Sequence, residues 1–217
     1  MNPESQKQQI VGSLKAITGI FKQCDADYRI LGSVVLVAHL KKVFRRINDI
    51  DILLDARAKD CVFEKLKGSG FEIEKKRKAG FSWFEANKER HLGLTFLLIG
   101  EFTKDYFSWR FLKFFELRMR TSYITPTAYD FEDISFVGIP ISSAAAGIRQ
   151  SFFNPKRALD AKVLQDELTR SKIKVYNNIS VHLGGIKLPY LYDAFSALYN
   201  MYGGIRVLFG RPYEVWK

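Results

Sequence analysis

The sequence predicts an α+β protein: a mixed β-sheet with flanking helices, plus a mostly helical C-terminal extension. Three observations carry that expectation. Strand-like and helix-like segments alternate early in the chain, strand-like segments dominate the middle, and past Pro140 the texture turns to alanine-rich, glycine-punctuated helix. A soft boundary falls near residue 138, separating a core over 1–138 from a helical region over 139–217.

The elements follow in order. Ile10, Leu14, Ile17, Ile20 and Phe21 recur at helical spacing, which predicts an amphipathic helix over about 5–23. Tyr28-Arg29-Ile30-Leu31 reads as a short strand that stops at Gly32-Ser33. Val34 to Phe44, apolar with cations only near its end, reads as a second, mostly buried helix. Asp49 to Asp55 is a strand, and Val62, Phe63 and Leu66 mark a helix over about 57–67. Phe71–Lys75, Phe81–Ala86 and His91–Ile99 are further strands. Tyr106, Phe107, Trp109, Phe111, Phe114 and Phe115 read as one helix face packing on the sheet, with base stacking beside Arg110 and Lys113 as the alternative. Beyond the boundary, Ser142 or Ser143 caps a helix entering Ala144-Ala145-Ala146, and Asn154-Pro155 supplies a cap and first-turn proline for Lys156–Leu168. Gly184-Gly185 and Gly203-Gly204 bracket a last helix, about Pro189–Met201.

Composition narrows the function classes. The 217 residues can bury roughly 70% of the surface the unfolded chain exposes, and 14% aromatic content argues against disorder. The longest apolar runs, Ile30–Leu40 and Leu92–Ile99, fall short of the ~18 residues a membrane span needs, and no signal peptide is visible at the N-terminus. Two cysteines, Cys24 and Cys61, form no CxxC or Cys/His cluster; they leave no zinc framework and little case for a disulfide, so a reducing cytoplasm is expected. His39, His91 and His182 show no ligand spacing and read as structural or surface groups. The formal charge of +11 favours polyanionic partners over cationic ones. It gathers in three clusters: Lys41, Lys42, Arg45 and Arg46; Lys75, Lys76, Arg77 and Lys78; Arg110, Lys113, Arg118 and Arg120.

The chemistry-bearing segment is Leu31-Gly32-Ser33 followed by Asp49-Ile50-Asp51. Strand residues two apart share a face, so Asp49 and Asp51 project together while Ile50 and Ile52 enter the core. Two adjacent carboxylates repel unless a cation sits between them, and a hard ion such as Mg²⁺ (or Mn²⁺) takes carboxylate, water and phosphate oxygens together. Gly32 permits close backbone approach, and Ser33 with the following helix N-terminus offers donors to a phosphate. Arg45 and Arg46, just before the carboxylate strand, can reach the same phosphates.

This order of strand, Gly-Ser, helix and Arg45-Arg46-Ile47-Asn48-Asp49-Ile50-Asp51 resembles the nucleotidyltransferase superfamily with the polymerase-beta-like core. It is most similar to the small members, including the antibiotic nucleotidyltransferases and the abortive-infection toxin group. The likeness covers about residues 10–105, with Ile47 where the family commonly has Thr. Arg157 and Asp160 partly match a later Arg/Lys-Asp helix, Leu159 standing where Lys is usual. The resemblance implies transfer of a nucleoside monophosphate from a nucleoside triphosphate to an acceptor hydroxyl. In it, Asp49 and Asp51 hold the metal, and Gly32, Ser33, Arg45 and Arg46 bind the nucleotide.

The family also needs a third carboxylate on a neighbouring strand. Here that strand, His91 to Ile99, carries Thr and Leu at its centre. Glu101 at its end is the first candidate for the third catalytic position and Glu85 the second. Two alternatives to an active enzyme stand beside this expectation. One is a catalytically inactive nucleotide- or RNA-binding protein of the same fold, and the other an interaction module of the toxin–antitoxin type. The charge favours an anionic acceptor, RNA ahead of protein.

Overall fold

The structure, a computed structural model, describes residues 2–78, 81–111, 113–150, 155–165, 169, 178–192 and 194. It opens with helix α1 (Pro3–Gln23), capped by Asn2, whose Oδ1 accepts from the Ser5 N–H at 2.8 Å, with Pro3 in the first turn. Ile10, Leu14 and Ile17 of α1 are fully buried, as the periodicity predicts. Strand β1 (Tyr28–Leu31) leads through Gly32 into α2 (Ser33–Leu40). Next come β2 (Asp49–Asp55), α3 (Lys59–Gly68), β3 (Glu72–Lys78), β4 (Phe81–Asn87) and β5 (Gly93–Ile99). The run β6 (Glu101–Phe102), β7 (Tyr106–Phe111) and β8 (Phe115–Arg120) precedes β9 (Thr127–Phe131) and β10 (Ile134–Gly138). Helices α4 (Ile141–Gln150) and α5 (Pro155–Val163) and strands β11 (Ile179–Leu183) and β12 (Ile186–Leu188) complete the described elements.

Seven strands form the main mixed sheet in the order β3-β4-β5-β2-β1-β10-β9. Strand β2 runs antiparallel to β1 and parallel to β5, and β1 runs parallel to β10. Helices α1 and α3 cover one face, where Phe21 and Phe63 both meet the ring of Phe96, at 6.5 and 5.5 Å between centroids. Ile50, Ile52 and Leu54 of β2 are buried, so period two turns Asp49, Asp51, Leu53 and Asp55 to the opposite face. None of the described helices is long and apolar enough to cross a membrane.

Four expectations need correcting. The second helix ends at Leu40, because Lys41 takes a left-handed backbone (φ 52°) and the chain turns irregularly toward β2. The aromatic run is no helix face: it forms the β7–β8 hairpin of a second, five-stranded sheet ordered β12-β11-β8-β7-β6. Residues 179–188 are strands rather than helix, with Gly184 and Gly185 (φ 55° and 88°) making their hairpin turn. Finally, Cys24 and Cys61 form a disulfide with Cα atoms 5.9 Å apart, since α1 packs on α3 and brings together residues that spacing alone leaves unrelated. The second sheet draws strands from both sides of residue 138. Residues 203–204 and most of the expected helix Pro189–Met201 lie outside the described residues.

Candidate active site

Two parallel neighbours deliver helix starts to one edge of the main sheet. Strand β1 ends at Leu31 and enters α2, while β10 ends at Gly138 beside Ile30 and enters α4 after Pro140. Gly32 turns the chain there with φ 69° and ψ −143°, a conformation that side chains resist. Leu31 pairs with Asp51 across the antiparallel β1–β2 ladder. Strand pairing therefore sets the carboxylate against the turn: a Cβ added to Gly32 would stand 3.0 Å from Asp51 Oδ2. Asp49 and Asp51 lie two apart on the same face, both partly exposed.

The segment entering β2 is fixed from two sides. Gln6 of α1, fully buried, donates from Nε2 to the Ile47 carbonyl at 2.9 Å, and its Oε1 accepts from the Ile47 N–H at 3.4 Å. The Gly93 N–H donates to the Asn48 carbonyl at 3.1 Å, locking the starts of β2 and β5 together. Ser13 Oγ accepts from the Leu92 N–H at 2.8 Å, which ties the same corner to α1. Ile47 is buried as part of this corner.

The two arginines part company. Arg46 is exposed, but Arg45 is only 1% exposed and its guanidinium is taken up internally. Its Nε donates to Asp160 Oδ1 at 2.6 Å and its Nη2 to Asp160 Oδ2 at 3.1 Å. Nη2 also donates to Ser33 Oγ, and Nη1 to the Arg46 carbonyl at 3.0 Å. Arg45, expected beside Arg46 at the phosphates, instead gives its donors to Asp160, Ser33 and the Arg46 carbonyl, and no spacing along the chain announces a partner 115 residues away.

Glu101 is not brought to the pair. β2 and β5 run parallel with Asp51 beside Thr95 and Asp55 beside Ile99, and Glu101 lies beyond Ile99 on β6 of the second sheet. At strand rise, six residues past Thr95 is roughly 20 Å along the sheet. The other candidate, Glu85, does share the row. Glu85 pairs with Thr95 and Thr95 with Asp51, so the three residues project from one face in successive strands. Trp83, two residues earlier on the same face, donates from Nε1 to Glu85 Oε1 at 2.8 Å and holds the carboxylate. Lys76, paired with Trp83, has its ammonium pKa raised by its hydrogen bond to Glu74, with Glu85 contributing. Among the described residues, no three His, Cys, Asp or Glu side chains converge closely enough to hold a metal by themselves.

Neither a protein-family model nor a curated protein sequence matches the chain. Solved structures do. The lincosamide antibiotic adenylyltransferase LnuA, with lincomycin bound, superposes with a TM-score of 0.59 at 19% identity, over 72% of this chain and 96% of its own. The antibiotic-resistance factor ANT(2'')-Ia in solution gives 0.52 at 10% identity, over 76% of this chain and 89% of its own. The same protein in complex with adenylyl-2''-tobramycin gives 0.52 at 11%, over 75% and 86%. At these identities the likeness establishes the fold alone: the chain shares the fold of the lincosamide adenylyltransferase and of ANT(2'')-Ia, in line with the fold the sequence resemblance implied.

Proposed function

We propose that the chain is a metal-dependent nucleotidyltransferase that moves a nucleoside monophosphate from a nucleoside triphosphate to an acceptor hydroxyl. The observation that carries this reading is the close approach of Gly32 to Asp51, which joins a helix N-terminus and a carboxylate pair in one corner. Donors for a polyphosphate and acceptors for its counter-cation then face the same volume.

Asp49 and Asp51 would hold a Mg²⁺ or Mn²⁺ ion, with water and phosphate oxygens supplying the remaining ligands that two carboxylates leave open. The Gly32 turn suits that role, because a side chain there would fill the space beside the Asp51 carboxylate. When bound, such an ion neutralises phosphate charge and polarises the phosphoryl oxygens. The chain's own groups do the rest. Ser33 Oγ and the first N–H groups of α2 bind the triphosphate, and exposed Arg46 adds charge at its rim. The acceptor oxygen bonds to the α-phosphorus, the bond from that phosphorus to the bridging oxygen breaks, and pyrophosphate leaves with the electron pair. We assign the departing hydroxyl proton to Glu85, since it shares the row of Asp51 and is oriented by Trp83. The charge of +11 favours an anionic acceptor, RNA first.

Isothermal titration tests the binding half. Triphosphates should bind only with Mg²⁺ or Mn²⁺, and Asp49→Asn with Asp51→Asn should abolish that binding while leaving the strand folded. Equal, metal-independent binding by the double variant would refute the assignment. A transfer assay then offers pooled RNA, a lincosamide and an aminoglycoside as acceptors, and labelling of an antibiotic alone would overturn the anionic preference.

A further inference from the structure

Arg45 and Asp160 are 115 residues apart in sequence and form a two-point ion pair with side chains 1% and 0% exposed. Burial on this scale is costly, because both charges lose their water and their mutual attraction does little more than compensate. A hydrophobic pair would hold α5 to the core as well. The pair instead shows a directional feature: the guanidinium fork that clasps Asp160 has a remaining hydrogen on Nη2, and that hydrogen goes to Ser33 Oγ.

A guanidinium can only donate, so Ser33 Oγ can only accept from it. One lone pair of the hydroxyl is thereby occupied, and its own hydrogen must point elsewhere. Ser33 is the first residue of α2, whose first-turn N–H groups have no partner within the helix. We propose that Asp160 is a positioning residue: it aims Arg45 so that Ser33 is held as an outward hydrogen-bond donor, ready for a phosphate oxygen. The proposal rests on the reading of Gly32 and Ser33 as the triphosphate site. It also gives the region after residue 138 a part in that site, because α5 packs on α4, and α4 on α2. The nucleotide corner is complete only with α5 seated.

A double-variant cycle on triphosphate affinity, measured by titration calorimetry with Mg²⁺ present, tests this. Ser33→Ala in the otherwise unchanged protein should weaken binding about tenfold or more, the usual loss for a hydrogen bond to a charged group. In an Asp160→Asn background, the same change should weaken binding by less than about twofold, because the hydroxyl is no longer held. Equal losses in the two backgrounds would overturn the positioning role and leave the site reading intact. Failure of the unchanged protein to bind any triphosphate would overturn the site reading itself. Circular dichroism checks the fold of each variant. Should Asp160→Asn not fold, Arg45→Lys gives the same cycle, since an ammonium keeps a charge against Asp160 but lacks the fork that serves Ser33 as well. If neither variant folds, the pair is a requirement of folding and the proposal falls.

Discussion

Gly32→Ala probes the corner most directly. The backbone there, at φ 69° and ψ −143°, belongs to a region reserved in practice for glycine. Forcing a side chain into it costs about 1–3 kcal/mol, which for a chain of this size lowers Tm by roughly 2–12 °C. The added methyl also meets Asp51 Oδ2 at 3.0 Å, so either the turn or the carboxylate must shift. Domain stabilities of about 5–15 kcal/mol leave the variant folded at room temperature. Metal-dependent triphosphate affinity should nevertheless fall tenfold or more, because the displaced carboxylate is one of the pair. Gly138→Ala is the control. Its methyl would meet Val35 Cγ2 at 3.0 Å, Tyr129 Cε2 at 3.1 Å and the Ile30 carbonyl at 3.2 Å, a packing clash of about 1–3 kcal/mol that does not touch the acids. Calorimetric titration well below both melting points compares the two. Loss of affinity in Gly138→Ala as large as in Gly32→Ala would show that general loosening, not the Gly32–Asp51 approach, governs binding.

Glu85→Gln should lower transfer at least about a hundredfold, the low end for a lost general base, at unchanged triphosphate affinity; Glu101→Gln should stay near the parent rate. Radiolabel transfer assays decide, and the reverse ranking would return the role to Glu101. Reduction of the Cys24–Cys61 bond, or Cys61→Ser, should lower the unfolding free energy by up to about 4 kcal/mol, the chain-entropy value for a loop of this span. Urea midpoints that coincide with and without reductant would mean that the two thiols stand unjoined in solution.

What could be read from the sequence was local. The 3.6-residue spacing of Ile10, Leu14 and Ile17 fixes α1, and alternation fixes the acid face of β2, because each signal reports burial within one element. The errors arose wherever a distant partner decided. Phe107, Trp109 and Phe111 satisfy period two as well as the helical spacing. The strand form prevails because β11 pairs with β8 from some sixty residues away, Ile179 opposite Met119. Apolar Val43 and Phe44 suggested a longer α2, yet Lys41 ends the helix, and Phe44 is buried without it. Glu85 joins Asp51 only through the strand order β4-β5-β2, which no spacing along the chain announces.

The charge clusters show the same divide between composition and geometry, and here it bears on function. Lys41, Lys42, Arg45 and Arg46 look like one basic surface in sequence. In the fold Lys41 donates to the Asp130 carbonyl, Arg45 is buried on Asp160, and Lys42 and Arg46 remain exposed. The cluster on β3 is split by the strand's own period. Lys75 pairs with Phe84, whose ring meets Phe63 of α3 at 5.0 Å, so Lys75 and Arg77 face the helix side. Lys76 pairs with Trp83 and shares the face of Glu85 and Asp51. Net charge therefore overstates what an anionic acceptor would meet at the acid row. On that face the β3 cluster offers Lys76, already engaged with Glu74, while Lys75 and Arg77 on the opposite face add to the long-range field that steers a polyanion without touching it at the site.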